Sequence, residues 1–229
     1  MPRWRLPDPE FIRARLGEQS RIVHAIWGTL IVAMLAALVI GRWSIAFVAL
    51  ATLALSVVPV FSVERFHIRL PVSFFVWIDV FVFATIFLGE ALDFYERYWW
   101  WDIALHGGAA VGFGLIGFLF IFTMFEGNRY AAPPAAVSFF AFCFAVAIGS
   151  SWEIFEFGMD QIFGLNMQKS GLVDTMSDLI VDAVGATLGA LAGFFYLKGL
   201  EFGGLSGMIG EFIRLNRQFF RKDDANRDE

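Results

Sequence analysis

Charge is what this chain has least of. Only 17% of its 229 residues are Asp, Glu, Lys or Arg, against about 25% in an ordinary soluble domain. The formal charge is −5 and no strongly basic tract is present, which excludes a nucleic-acid backbone as partner. One cysteine, Cys143, rules out a disulfide framework or a thiolate metal site within the chain. A Gly-x-Ser-x-Gly elbow, a His-Glu-x-x-His zinc signature and a Lys-bearing phosphate loop are all absent. Three histidines, none of them in paired boxes, set aside di-iron desaturase and haem ligation.

Apolar residues take the place of the missing charge. They make up 58% of the chain, Phe alone occurs 28 times, and the mean hydropathy is +0.66. A soluble fold of this size cannot hide so much apolar surface, so lipid is its solvent. Six apolar stretches, Ile22–Ile40, Trp43–Phe61, Leu70–Leu92, Trp100–Phe125, Pro134–Phe157 and Leu172–Leu197, are each long enough to cross about 30 Å of hydrocarbon as a helix. The expected fold is therefore all-α, a polytopic membrane bundle of six transmembrane helices. The first stretch is too long for the core of a cleaved signal peptide, and no small-residue cleavage site follows it.

The basic residues are distributed unevenly. Fourteen of the 17 fall in the N-terminal arm, in the connections after the second and fourth stretches, and in the C-terminal tail. Arg42, Arg97 and Lys169 alone occupy the other side. The positive-inside rule then predicts cytoplasmic N and C termini. Three regions follow: a cytoplasmic amphipathic arm over 1–21, a six-helix transmembrane domain over 22–199, and a cytoplasmic interfacial helix with a disordered tail over 200–229. In the arm, Asp8-Pro9 reads as a helix start, with Phe11, Ile12 and Leu16 on one face. In the tail, Leu205, Met208, Ile209, Phe212 and Phe219 recur at helical spacing, with Arg214, Arg217, Arg221 and Lys222 around them.

Ten acids gather on the side that carries only three bases: Glu90, Asp93, Glu96, Asp102, Glu153, Glu156, Asp160, Asp174, Asp178 and Asp182. A carboxylate at mid-membrane costs roughly 2.5–3.5 kcal/mol on insertion scales, so protons, water or a cation must compensate the deeper ones. Helical spacing brings them together. Asp102 and His106 are four apart; Glu153, Glu156 and Asp160 share a stripe; Asp174, Asp178 and Asp182 step by four. The pattern predicts a funnel from the outer face with Glu153 and Asp182 at its floor and His106 on its wall. Carboxylates with one imidazole suit Mg²⁺, Mn²⁺, Ca²⁺ or Zn²⁺. Glu153, Asp178, Asp182 and His106 are the candidate metal ligands; His106 and Glu156 are candidate general bases, with Asp102 orienting His106. The competing reading is a hydrated vestibule of helix caps, to which Asp160, Asp174 and Glu96 belong by their shallow positions. Asp79, nine residues into the third stretch, suits either an ion relay or an interhelical hydrogen bond. Gly185, Gly189 and Gly193, and Gly108 with Gly112, recur at the spacing that lets helix backbones approach. Tyr98 and Trp99–Trp101 read as an interfacial aromatic belt.

Three motifs in order carry a resemblance: Trp101-Asp102-x3-His106, then Ser151-Trp152-Glu153-Ile154-Phe155-Glu156, then Asp174-Thr175-x2-Asp178-Leu179-x2-Asp182-x2-Gly185-Ala186. Together they resemble the YjdF-type bacterial inner-membrane proteins and, more distantly, VanZ-like proteins, over about Leu70–Leu197. In VanZ-like proteins the acid corresponding to Glu156 is commonly Gln. The resemblance implies a six-helix inner-membrane fold and no particular chemistry. The Asp-x3-Asp-x3-Asp run is similar to half of the CDP-alcohol phosphotransferase motif, whose other half is missing here.

The residues themselves favour a cation site on the outer face that holds an anionic lipid or lipid-linked head group, with metal-assisted phosphate hydrolysis or transfer as the enzymatic version. Two other functions fit the same sequence. One is a non-catalytic accessory subunit that binds partner membrane proteins or a second copy of itself. The other is an ion-coupled transporter that continues the funnel through Asp79.

Overall fold

The computed structural model describes residues 16–17, 19–65, 68–125, 132–200 and 202–220. The N-terminal helix start at Asp8-Pro9, Phe11 and Ile12, the loop around Arg129, His67, and the tail from Arg221 onward lie outside these residues. Helices account for nearly all of what is described, and no strand occurs among the described residues. They are α1 (Arg21–Val39), α2 (Trp43–Arg65), α3 (Val72–Val82), which continues as a π-helical segment (Phe83–Ala91), the short α4 (Phe94–Arg97), α5 (Trp101–Met124), α6 (Pro134–Phe163), α7 (Leu172–Leu197) and α8 (Gly203–Leu215). Six of these runs are long and apolar enough to cross a membrane, and they coincide with the six stretches expected from hydropathy. At most 39% of any one of them is buried within the protein. The outward remainder, including Val39, Trp43, Phe47, Ile154, Ile162 and Leu172, is large and apolar, as lipid-facing surface must be.

Local chemistry explains where the helices begin and end. The Ser20 hydroxyl accepts from Val23 N–H at 3.3 Å and caps α1. Pro134 occupies the first turn of α6, where its missing N–H costs nothing. Gly164 closes α6 in the left-handed region at φ 67°, its N–H bonded to the Asp160 carbonyl. At 30 residues α6 is about 45 Å long, so it extends past Phe157, where hydropathy alone ends it.

The chain divides into two compact units between Phe94 and Tyr95. The first packs α1, α2 and the α3–π-helical run around Val23, Trp27, Leu30, Phe75 and Phe87. Three of its polar groups form one buried chain. Trp27 Nε1–H donates to Ser56 Oγ at 2.7 Å, and the Ser56 hydroxyl donates to Asp79 Oδ1. Three helices are thereby joined through one carboxyl group that is 1% exposed. Of the two roles open to Asp79, the interhelical hydrogen bond is the one its geometry fills. Replacing Ser56 with Ala strands the carboxyl group in an apolar core and is expected to destabilise the protein by about 1–3 kcal/mol. Thermal unfolding in detergent checks this, and Ser56→Thr, which restores a hydroxyl, should recover most of the loss.

The second unit packs α5, α6 and α7 against one another, with α8 on α7 and α5. Glycine sets the α5–α7 distance. A Cβ on Gly189 would stand 2.5 Å from the Val111 carbonyl and 2.9 Å from Gly114 Cα; one on Gly185 would stand 2.5 Å from the Gly107 carbonyl. On α5 the close approach is made at Gly107 and Gly114, two turns apart, whereas Gly108, expected in this role, has open space beside it. A spacing of seven keeps two residues on one face better than the choice of adjacent glycine predicts. The C-terminal helix appears as α8 followed by a 3₁₀ turn, Arg217–Phe219. Ile209 on its apolar face is fully buried against the protein, Leu205, Met208 and Phe212 are half-buried, and Phe220 stacks on Phe122 at 5.7 Å.

Candidate functional site

One end of the second unit carries the polar residues. His106 lies in the second turn of α5, Glu153 about three turns from the end of α6, and Asp178 and Asp182 in the first three turns of α7. At 1.5 Å per residue, Glu153 and Asp182 lie roughly 15 Å below that end. Helical register does the rest, since Asp102 and His106 share one face of α5 and Asp178 and Asp182 one face of α7.

The side chains converge on the imidazole. His106 Nε2 stands 3.8 Å from Asp102 Oδ1 and 3.9 Å from Glu153 Oε1, while Nδ1 stands 3.4 Å from Asp182 Oδ1. Asp102, His106 and Asp178 each bring one ligand atom within 4.8 Å of the other two, a grouping that could hold a metal ion. Ligand atoms about 2.0–2.2 Å from one ion lie roughly 3.0–3.5 Å apart, so the set would contract by up to about 1.3–1.8 Å on binding. Glu153, Asp178 and Asp182 are 3–4% exposed. Neither oxygen of Glu153 receives a well-formed hydrogen bond, although Thr175 is a polar neighbour, and Oδ2 of Asp178 and of Asp182 have none either. Native proteins rarely leave so many buried polar atoms together without donors.

The shallower acids have ordinary duties. Asp160 accepts from Met167 N–H at 2.7 Å and Gln168 N–H at 2.9 Å, folding the α6–α7 connection over the end of its own helix. Glu96 pairs with Lys169 at 3.3 Å, and Lys169 also sits over the Tyr95 ring. Asp174 lies half-buried in the first turn of α7, where an acid suits the helix dipole; the cap itself is Gly171. Glu156 accepts from Trp152 Nε1–H at 2.8 Å on the outer face of α6. The cluster is thus centred on Asp102, His106, Glu153, Asp178 and Asp182.

One residue of the site escaped the sequence reading. A Cβ on Gly149 would collide with the Asp182 carboxylate, so a glycine on α6 makes the space in which that carboxylate lies. The signal was there: Gly149 is one turn before Glu153, on the stripe that continues to Glu156 and Asp160.

Residues 22–199 match the family model described as Predicted membrane protein (DUF2238). An uncharacterized protein of Thermotoga maritima is 35% identical over 104 residues, which is 45% of this chain and 53% of the relative. The chain therefore spans about half the length of that curated relative. No solved structure matches.

Proposed function

We propose, for a chain that belongs to the DUF2238 family of predicted membrane proteins, that the α5–α6–α7 cluster binds a divalent cation and through it an anionic lipid or lipid-linked head group. The observation that carries this is the group of buried carboxylate oxygens on Glu153, Asp178 and Asp182 that receive no well-formed hydrogen bond, packed around one imidazole. Two like charges 4 Å apart repel by about 4 kcal/mol at an effective dielectric of 20, and one imidazolium offsets only one of four carboxylates. A divalent ion supplies the missing positive charge and uses the free oxygens as ligands. Oxygen donors with one nitrogen favour Mn²⁺ or Zn²⁺, with Mg²⁺ and Ca²⁺ as harder alternatives.

The head group follows from the surroundings. Among the described residues the cation nearest the cluster besides His106 is Lys169, which acts on Asp102 but is paired with Glu96, so the metal is the group proposed to hold an anion. The exposed Trp99, Trp152, Phe155 and Phe163 at the same end suit acyl chains and the membrane interface. The distribution of basic residues supports an outer-face position for this end, with both termini cytoplasmic and residues 22–199 as the membrane domain, and the YjdF-type resemblance supports a bacterial inner membrane. The YjdF-type resemblance accords with this family; the VanZ-like resemblance stands on motif order alone. If a phosphate is cleaved or transferred there, the metal would polarise the phosphoryl oxygen, and the base would be His106 where it does not itself ligate the ion, or Glu156 from beside the cluster.

Native mass spectrometry of the detergent-solubilised protein tests the pairing of ion and lipid. Phosphatidic acid adducts are expected with Mn²⁺ present, to disappear with EDTA, and to be absent for phosphatidylcholine. Adducts that ignore EDTA would contradict a metal-held head group.

A further inference from the structure

Asp182 is the one acid of the cluster with an obstacle on both sides of its carboxylate. Its Oδ1 faces His106 Nδ1 at 3.4 Å. Its Oδ2 is pressed against α6 at Gly149, so closely that a methyl group there would overlap it. Both oxygens of Asp182 are therefore crowded, one by the imidazole and one by α6. Asp102 and Glu153 instead face the opposite ring nitrogen, Nε2. Glu153, Asp178 and Asp182 all keep an oxygen without a well-formed hydrogen bond, and that of Asp182 is the one lying against Gly149.

We propose that Asp182 is a positioning residue and not a ligand, an inference that rests on the cation site described above. It accepts the hydrogen bond from Nδ1–H of His106, which fixes the tautomer and turns the Nε2 lone pair toward Asp102, Glu153 and Asp178, the carboxylate ligands. Metal-bound histidines are generally held in this way by a carboxylate on the other nitrogen. Gly149 is the second half of the device, because no other residue lets the carboxylate lie against α6 at that depth. This division reverses the roles that spacing suggested for Asp102 and Asp182: the shallower acid binds the ion and the deeper one holds the histidine.

The test uses the full-length protein with ¹⁵N-labelled imidazole nitrogens and ¹¹³Cd²⁺ as the probe ion. Scalar coupling to cadmium is expected at Nε2 of His106, and not at Nδ1. Asp182→Asn keeps the side-chain shape and is expected to weaken Cd²⁺ affinity about 10–100-fold while binding persists. Gly149→Ala should weaken it by a similar factor, and the double variant should be no worse than either single one, since both act through one carboxylate. Asp178→Asn, which removes a ligand, should lose more than Asp182→Asn does. If Gly149→Ala does not fold, the coupling pattern and Asp182→Asn still decide. Coupling at Nδ1, or loss of binding in Asp182→Asn equal to that in Asp178→Asn, would overturn this assignment and leave the cation site standing. A wild-type protein that binds no Cd²⁺ would overturn both.

Discussion

Replacing Glu153 with Gln is expected to reduce divalent-cation affinity by at least about 100-fold without lowering the stability of the metal-free protein. Both consequences have one cause. Glu153 is 4% exposed, stands 3.9 Å from the imidazole, and presents two oxygens that receive no well-formed hydrogen bond. With an ion bound, those oxygens are ligands; without one, they are like charges crowded beside Asp102 and Asp182. The neutral amide removes a ligand and relieves that crowding in the same step. Wild-type protein should therefore gain about 2.7 kcal/mol of stability at a cation concentration 100 times its Kd, seen as a rise in unfolding temperature, and the variant should gain no more than about 0.4 kcal/mol at that concentration. An equal gain in both would remove Glu153 from the site. A metal-free variant that unfolds far more readily would make Glu153 a structural acid.

The second large effect is in packing. Gly189→Ala is expected to destabilise the protein by about 3 kcal/mol, at the upper end of what overpacking costs. The added methyl would meet the Val111 carbonyl at 2.5 Å and Gly114 Cα at 2.9 Å. Backbone atoms cannot rotate away as a side chain would, so α5 and α7 must separate. The separation would also pull His106 and Asp102 on α5 from Asp178 and Asp182 on α7, so cation affinity should fall although no ligand has changed. Gly108→Ala is the control. Nothing lies within 4 Å of its Cβ position, and loss of a helical glycine should stabilise by up to about 1 kcal/mol. Reversible unfolding in mixed detergent measures both. Equal stability for Gly189→Ala and wild type would mean that the two helices are not in backbone contact.

The six spans were legible because hydropathy over a window of about 19 residues records one strong requirement, that lipid-facing surface be apolar. The convergence of the acids was legible for an equally simple reason: offsets of three, four and seven put residues on one face of a helix whatever the fold. Which faces oppose one another is a tertiary matter, and there the reading thinned out. Gly107 and Gly108 are adjacent and chemically identical, and only the rotation of α5 against α7 distinguishes them. The tail's apolar stripe at Leu205, Met208 and Ile209 was plain, but a membrane surface and the end of a helix pair are equally apolar targets; Ile209 is buried against protein. The π-helical run Phe83–Ala91 had no sequence mark, since a shift from i→i+4 to i→i+5 bonding leaves hydrophobic residues at almost the same intervals. Asp160 was separable from the deeper acids on position alone, and its two backbone amide partners agree with that reading.

The central claim is that a divalent cation belongs among Asp102, His106, Glu153 and Asp178. Elemental mass spectrometry of protein purified without chelators, then offered Mn²⁺, Zn²⁺, Mg²⁺ and Ca²⁺ and dialysed, tests it most directly. The account predicts about one retained divalent ion per chain in the wild type and none in Glu153→Gln/Asp178→Asn of equal stability. A wild type that emerges with no ion, or a double variant that retains as much as the wild type, would contradict it.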